Sequence, residues 1–170
     1  IHTDALLDLL RCGFGPNVVC DVWEGEPSIS KDLLECVRIG TPHVAGYSHD
    51  GKFLGTAMLA RALTSFMSSD LVSETIYLDP PPAIKILSGG TKASTVRDIL
   101  RGFYRIDKDD NSLRANITGH QQQDSFSFDR LRSAYPERRE AYGSLILDTG
   151  LEDHQLAMIE ALGCKVLRSY

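Results

Sequence analysis

Apolar positions fall into short, separate blocks, and their spacing switches from helical to extended and back within the first fifty residues. Leu6, Leu7, Leu9 and Leu10 fill one side of a helix predicted over 4–11, which Thr3 can cap and Gly13 ends. Residues 17–22 form a β-rich run between a Gly-Pro turn and an acidic loop, the pattern of a buried strand. Ser30 caps a second predicted helix over 31–38, with Asp32 and Glu35 on its wet face, and 41–45 reads as another short strand. This strand–helix–strand rhythm predicts an open parallel α/β sheet, whose ligands gather beyond the carboxyl ends of its strands. Asp21, Glu26 and His43 all fall at such ends.

A long helix is predicted over 51–68, with Leu54, Met58, Leu59, Ala62, Leu63 and Phe66 as its apolar stripe. Gly51, Gly55 and Ala57 would permit close packing along it. Composition changes after Ser69, and Leu78-Asp79-Pro80-Pro81-Pro82 is a rigid break. The domain boundary is therefore expected within 70–82, dividing the chain into 1–74 and 75–170. The second part reads as a small α+β unit. It has strands at 83–87, 144–147 and 166–167, helices at 91–104, 129–135 and 152–162, and a polar loop at 107–111. Gly163 stops the last helix. No repeat is visible, and Gln121-Gln122-Gln123 is too short for a low-complexity domain.

Composition narrows the partners. A net charge of −5 argues against a nucleic-acid groove, but a local field can still receive a small anion. No apolar run reaches membrane-spanning length and no signal peptide opens the chain, so no membrane partner is expected. The chain starts at Ile1 rather than Met, which reads as a processed or incomplete product. Cys12, Cys20, Cys36 and Cys164 show no CxxC spacing and fit free thiols in a reducing cytosol better than zinc or disulfides. His2, His49, His120 and His154 have no metal-ligand spacing either, and no metal is expected.

The candidate chemistry is a proton-transfer pair. His43 follows Glu26 by seventeen positions, and a carboxylate and an imidazole at one sheet edge can take a proton from a hydroxyl. Glu26 would hold the ring in one tautomer and stabilise its protonated form. A satisfied core histidine beside an unrelated loop acid is the alternative. Asp21 could accept a ligand hydrogen bond or cap the following turn. Trp23 fits packing better than ligand contact. Gly46 could let a ligand approach the backbone or only end the strand, and Tyr47 could offer its hydroxyl to an anion or line an interface. Arg130, Arg132, Arg138 and Arg139, mixed with Glu137 and Glu140, form a solvated face or a phosphate-contacting patch.

With these residues in view, the chain resembles the C-terminal half of the D-2-hydroxyacid dehydrogenases. The carriers are Asp21-Val22-Trp23-Glu24-Gly25-Glu26-Pro27 and Ile39-Gly40-Thr41-Pro42-His43-Val44-Ala45-Gly46-Tyr47, at the spacing found around that family's catalytic glutamate and histidine. The segment Phe128-Asp129-Arg130-Leu131-Arg132-Ser133-Ala134-Tyr135-Pro136-Glu137-Arg138-Arg139-Glu140 is similar to a dimerisation domain confined to the branch that oxidises 4-phospho-D-erythronate in vitamin B6 synthesis.

The resemblance implies the C-terminal part of a Rossmann-like sheet, a long connecting helix, and an α+β dimerisation domain. It implies a cytoplasmic, NAD-dependent homodimer acting on a small phosphorylated hydroxy acid. His43 is then the acid/base and Glu26 its partner, Asp21 and Gly46 lie on the cofactor, and Tyr47 touches substrate. The departure is the absence of any G-x-G-x-x-G and of the family's catalytic arginine, which lie upstream of the matched region. The chain alone is therefore expected to be inactive. Another D-2-hydroxyacid dehydrogenase, or a non-catalytic dimerisation module, are the competing readings.

Overall fold

A computed structural model describes residues 2–13, 15–67, 96–147 and 152–167. Among them the architecture is α/β, with seven helices and two two-stranded parallel sheets. They form two compact units, each built from two stretches of chain: Ile1–Gly46 with Arg105–Pro136, and Tyr47–Tyr104 with Glu137–Tyr170. The boundary expected within 70–82 and the strand expected at 83–87 lie outside the described residues.

In the first unit, helix α1 spans Thr3–Arg11 and is capped one residue earlier than expected. The His2 ring accepts the Ala5 N–H at 3.4 Å, so Thr3 is the first helical residue. Leu7 is buried and Leu6 and Leu10 pack beside it, whereas Leu9 is about half exposed. Strand β1 is Val19–Cys20 and pairs in parallel with β2, Ile39–Gly40, in the register Val19↔Ile39 and Cys20↔Gly40. Between them α2 spans Lys31–Cys36, its Leu33 N–H bound by the Ser30 hydroxyl at 3.2 Å.

The strand expected at 41–45 is not one, and the pairing stops at Gly40. The Thr41 N–H still reaches the Cys20 carbonyl at 2.9 Å. Pro42 then has no N–H to give, and the N–H groups of Val44 and Ala45 turn to the Asp21 carboxylate. The expected polar loop at 107–111 is likewise corrected to the first half of a helix, α5, which spans Ile106–Asn116. Asp107 and Asp109 favour a helix N-terminus, Asp110 binds Arg114 one turn on at 2.9 Å, and Leu113 and Ile117 form a buried stripe. The helix expected over 129–135 is the tail of α6, which starts at Gln121 and runs to Ser133. These helices close a core of Cys20, Trp23, Leu33, Leu34, Leu113 and Phe128. Full burial of each such aliphatic or aromatic side chain contributes about 1.5–3 kcal/mol.

In the second unit, helix α3 spans His49–Phe66, with the Ser48 hydroxyl accepting the Gly51 N–H at 2.9 Å. Its apolar stripe faces solvent: Leu54, Met58, Leu59, Leu63 and Phe66 are exposed, and only Asp50 and Ala57 are buried on this helix. Helices α4, Val96–Phe103, and α7, Asp153–Ala161, are two separate later segments. Helix α7 is preceded by β3, Leu145–Leu147, and followed by β4, Lys165–Leu167, and the two strands pair in parallel. Gly163, at φ +82°, makes the left-handed turn between α7 and β4. Ile99, Ile146, Ile159 and Cys164 are the core.

Candidate functional site

Chain geometry just beyond β1 and β2 explains how an acid and an imidazole meet. After Cys20 the chain turns through Asp21 to Glu26, with Gly25 at φ +78° and the Ser28 N–H returning to the Gly25 carbonyl at 2.9 Å. After Gly40 it enters the loop 41–46. Each segment supplies one member of the pair. Glu26 Oε2 lies 2.8 Å from His43 Nδ1, while Glu26 Oε1 accepts the Trp23 backbone N–H at 2.7 Å.

An ionised carboxylate only accepts hydrogen bonds, so beside one Nδ1 is the donor, and in the neutral form of the ring Nε2 carries the lone pair. The glutamate side chain is 18% exposed and the histidine 42%, which leaves the imidazole accessible and the acid mostly screened from water. A base with a free, correctly placed lone pair can take a proton from a hydroxyl. The cation that results stays beside a carboxylate.

His43 has φ +56°, a conformation that costs a side-chain-bearing residue on the order of 1–3 kcal/mol. Its neighbours hold it there. Asp21 Oδ1 accepts the Thr41 hydroxyl at 2.7 Å and the Val44 N–H at 2.8 Å, and the Ala45 N–H reaches both Asp21 oxygens at 3.2–3.3 Å. The Trp23 indole N–H donates to the Thr41 carbonyl at 2.9 Å. Asp21 therefore organises the histidine loop. Thr41 and the 44–45 backbone were invisible as site components in the sequence, because their contribution is a carbonyl, a hydroxyl and two N–H groups rather than a reactive side chain.

Gly46 ends this unit at the surface, and a Cβ there would meet nothing within 4 Å. Tyr47 begins the second unit, half-buried, with the Lys52 ammonium 4.3 Å from its ring centroid. The arginine group is divided. Arg130 and Arg132 belong to the first unit, whereas Arg138 and Arg139 belong to the second. Arg139 grips the buried Asp50 carboxylate through Nε and Nη2 at 2.8–3.1 Å, and the Glu140 N–H adds a third donor at 2.6 Å. Burial pushes the Asp50 carboxyl up, but these donors outweigh it and hold it below the usual carboxylate range. Among the described residues, no three His, Cys, Asp or Glu side chains converge on a metal-sized site.

Residues 77–163 match the family described as a domain of unknown function, DUF3410. Curated relatives extend the similarity in both directions. A protein of Stutzerimonas stutzeri (strain A1501) named erythronate-4-phosphate dehydrogenase is 37% identical over 171 residues, covering 99% of this chain and 45% of that protein. Proteins with the same name from Marinobacter nauticus and Photorhabdus laumondii subsp. laumondii are each 40% identical and cover 82% of this chain. They are covered over 37% and 36% of their own lengths. The chain thus spans less than half the length of these curated relatives and matches their C-terminal part. With just over half of its length matched by the family, the chain belongs to the DUF3410 family.

Proposed function

We propose that this chain is the C-terminal part of a 4-phosphoerythronate dehydrogenase of vitamin B6 biosynthesis, oxidising 4-phospho-D-erythronate at C2 to the 2-oxo acid. The observation that carries the reading is the His43–Glu26 pair, its Nδ1 fixed at 2.8 Å and its Nε2 without a partner among the described residues, in a chain similar to proteins that bear the dehydrogenase name. In this reading His43 Nε2 takes the C2 hydroxyl proton as general base. Glu26 stabilises the imidazolium that forms, an interaction that grows as the reaction proceeds and so favours the transition state over bound substrate. Asp21 keeps the loop in register, and Tyr47 meets the substrate.

NAD would supply the acceptor for the C2 hydride, with Gly46 and Asp21 at its nicotinamide end. The residues present fit the nicotinamide end of that group: Gly46 borders open space where a planar ring can approach the backbone, and the Asp21 carboxylate holds the N–H of the preceding residue, Ala45. Nothing in the sequence supplies a G-x-G-x-x-G turn for its pyrophosphate, so this chain alone is inactive in the proposed reaction. The protein is read as a cytoplasmic homodimer with the α+β unit as its dimerisation domain. No helix among the described residues is long and apolar enough to cross a membrane.

The test is reduction of NAD by the full-length protein presented with 4-phospho-D-erythronate and, separately, with D-erythronate. Turnover that falls sharply when the phosphate is removed supports the proposal. Equal turnover of both acids would favour a different D-2-hydroxyacid dehydrogenase. No turnover of any hydroxy acid, together with a stable dimer, would favour the non-catalytic module.

A further inference from the structure

We infer that Trp23 is a positioning residue for the acid/base pair, its backbone N–H aiming Glu26 and its indole N–H fixing the loop that carries His43. The inference rests on the proposed role of that pair. Trp23 is the single tryptophan of the chain, 5% exposed, and it sits between the two segments that must meet. Its backbone N–H binds Glu26 Oε1 at 2.7 Å, which leaves Oε2 for His43. Its indole Nε1 donates to the Thr41 carbonyl at 2.9 Å, a buried bond spanning eighteen residues and ending two positions before His43.

The ring has no slack. A Cβ added at Gly40 would lie 2.9 Å from Cζ2 and 3.1 Å from Cη2 of Trp23, and 2.6 Å from Cδ1 of Leu34. Gly40 is thus the floor of a closely fitted slot, and the indole cannot slide along β2 without meeting backbone. Because His43 holds φ +56° against its own preference, its place depends on how the loop is anchored. Asp21 anchors the far side of the histidine through Val44 and Ala45, and the indole anchors the near side through Thr41. Packing alone would be met by any large aromatic residue; donation to the Thr41 carbonyl needs the indole nitrogen.

Trp23→Phe in the full-length protein keeps most of the ring and removes the donor. A tryptophan isostere with sulfur in place of the indole N–H (benzothienylalanine) at the same position keeps the bicyclic shape if the phenylalanine variant fails to fold. The expected result is a fall in kcat of about tenfold, with KM for NAD changed by less than about twofold. The acid limb of the kcat/KM profile moves with it, as does the downfield proton NMR signal of the hydrogen-bonded His43 Nδ1–H, which weakens or exchanges faster. A folded variant whose pH profile and Nδ1–H signal both match wild type overturns the inference. So does a lower kcat with both unmoved, since that is what a packing role alone produces. If the wild-type protein turns over no hydroxy acid, the proposed function fails, and the NMR signal still decides whether the indole positions the pair.

Discussion

Glu26 stands 2.8 Å from His43 although seventeen residues separate them, and it reaches the imidazole through Nδ1 rather than Nε2. Direction matters here more than distance. In the neutral ring the carboxylate selects the tautomer with Nε2 as the base, and its second oxygen is held by the Trp23 N–H, so it cannot rotate freely. The pair is also half wet, with the histidine 42% exposed, and its contribution to stability is small. Its value is in placing a proton acceptor.

His43→Ala in the full-length protein is expected to lower kcat by at least about a hundredfold, the lower range for losing a positioned acid/base group. Glu26→Gln should fall between His43→Ala and wild type, because the amide can donate as well as accept and no longer enforces one tautomer. Steady-state kinetics of the two variants check this. A His43→Ala enzyme with near-wild-type kcat would remove the histidine from the mechanism.

Asp21 receives a hydroxyl and two backbone N–H groups from the loop that bears His43. Asp21→Ala leaves those donors without their acceptor and is expected to cost about 1–3 kcal/mol of stability, whereas Asp21→Asn retains one acceptor oxygen and should lose less. Urea unfolding measures both. If Asp21→Ala instead leaves stability intact and weakens only NAD binding, the carboxylate serves the cofactor and not the loop.

The pair itself was legible in the sequence as an acid and an imidazole at two predicted strand ends, and the family resemblance selected it over a core histidine beside an unrelated loop acid. What holds it was not. Residues 41–45 carry the β-branched and apolar character of a strand, yet Pro42 lacks a donor and Asp21 offers the following N–H groups a closer acceptor than any strand would. The helix Ile106–Asn116 was hidden for the opposite reason: Asp107-Lys108-Asp109-Asp110-Asn111 looks like a loop until Leu113 and Ile117 are seen to bury one face. Its polar first turn is stabilised by the helix terminus, not by hydrophobic periodicity. The stripe of α3 illustrates the limit of pattern reading in general: spacing identifies an apolar face, but not what lies against it.

The four cysteines should separate into two classes on alkylation. Burial raises the thiols of Cys20 and Cys164 above their ordinary value, and each also sits against a backbone carbonyl, Val22 at 3.1 Å and Ala141 at 3.2 Å. Cys12 and Cys36 are exposed. Iodoacetamide at neutral pH, followed by peptide mass spectrometry, is expected to modify Cys12 and Cys36 first and to reach the other two only on denaturation. Equal labelling of all four in the native protein would contradict the packing around Cys20 and Cys164.

Acid should weaken both units, through one buried carboxylate in each. In the first, burial pushes Asp124 up, but the N–H groups of Thr118 and Gly119 at 2.9 and 2.7 Å, with the Thr118 hydroxyl, pull it below the ordinary aspartate range. In the second, Arg139 and the Glu140 N–H do the same for Asp50. Unfolding returns each carboxyl to its ordinary value near about 4, so the unfolded chain binds protons first as pH falls. The stabilisation from each is therefore complete above about pH 5 and is lost progressively as pH drops below about 4 towards the lowered native values. Asp50→Asn and Asp124→Asn should each lower the urea midpoint at pH 7 and flatten its decline between about pH 5 and pH 3, since an amide has no proton to bind there. The Asp50 variant should lose more at neutral pH, because it removes a charge-assisted pairing with the Arg139 guanidinium, whose side chain is 20% exposed, whereas Thr118 and Gly119 give Asp124 neutral donors. A pair of variants whose midpoints fall with pH as steeply as wild type would show that neither carboxylate is the group acid unfolding protonates.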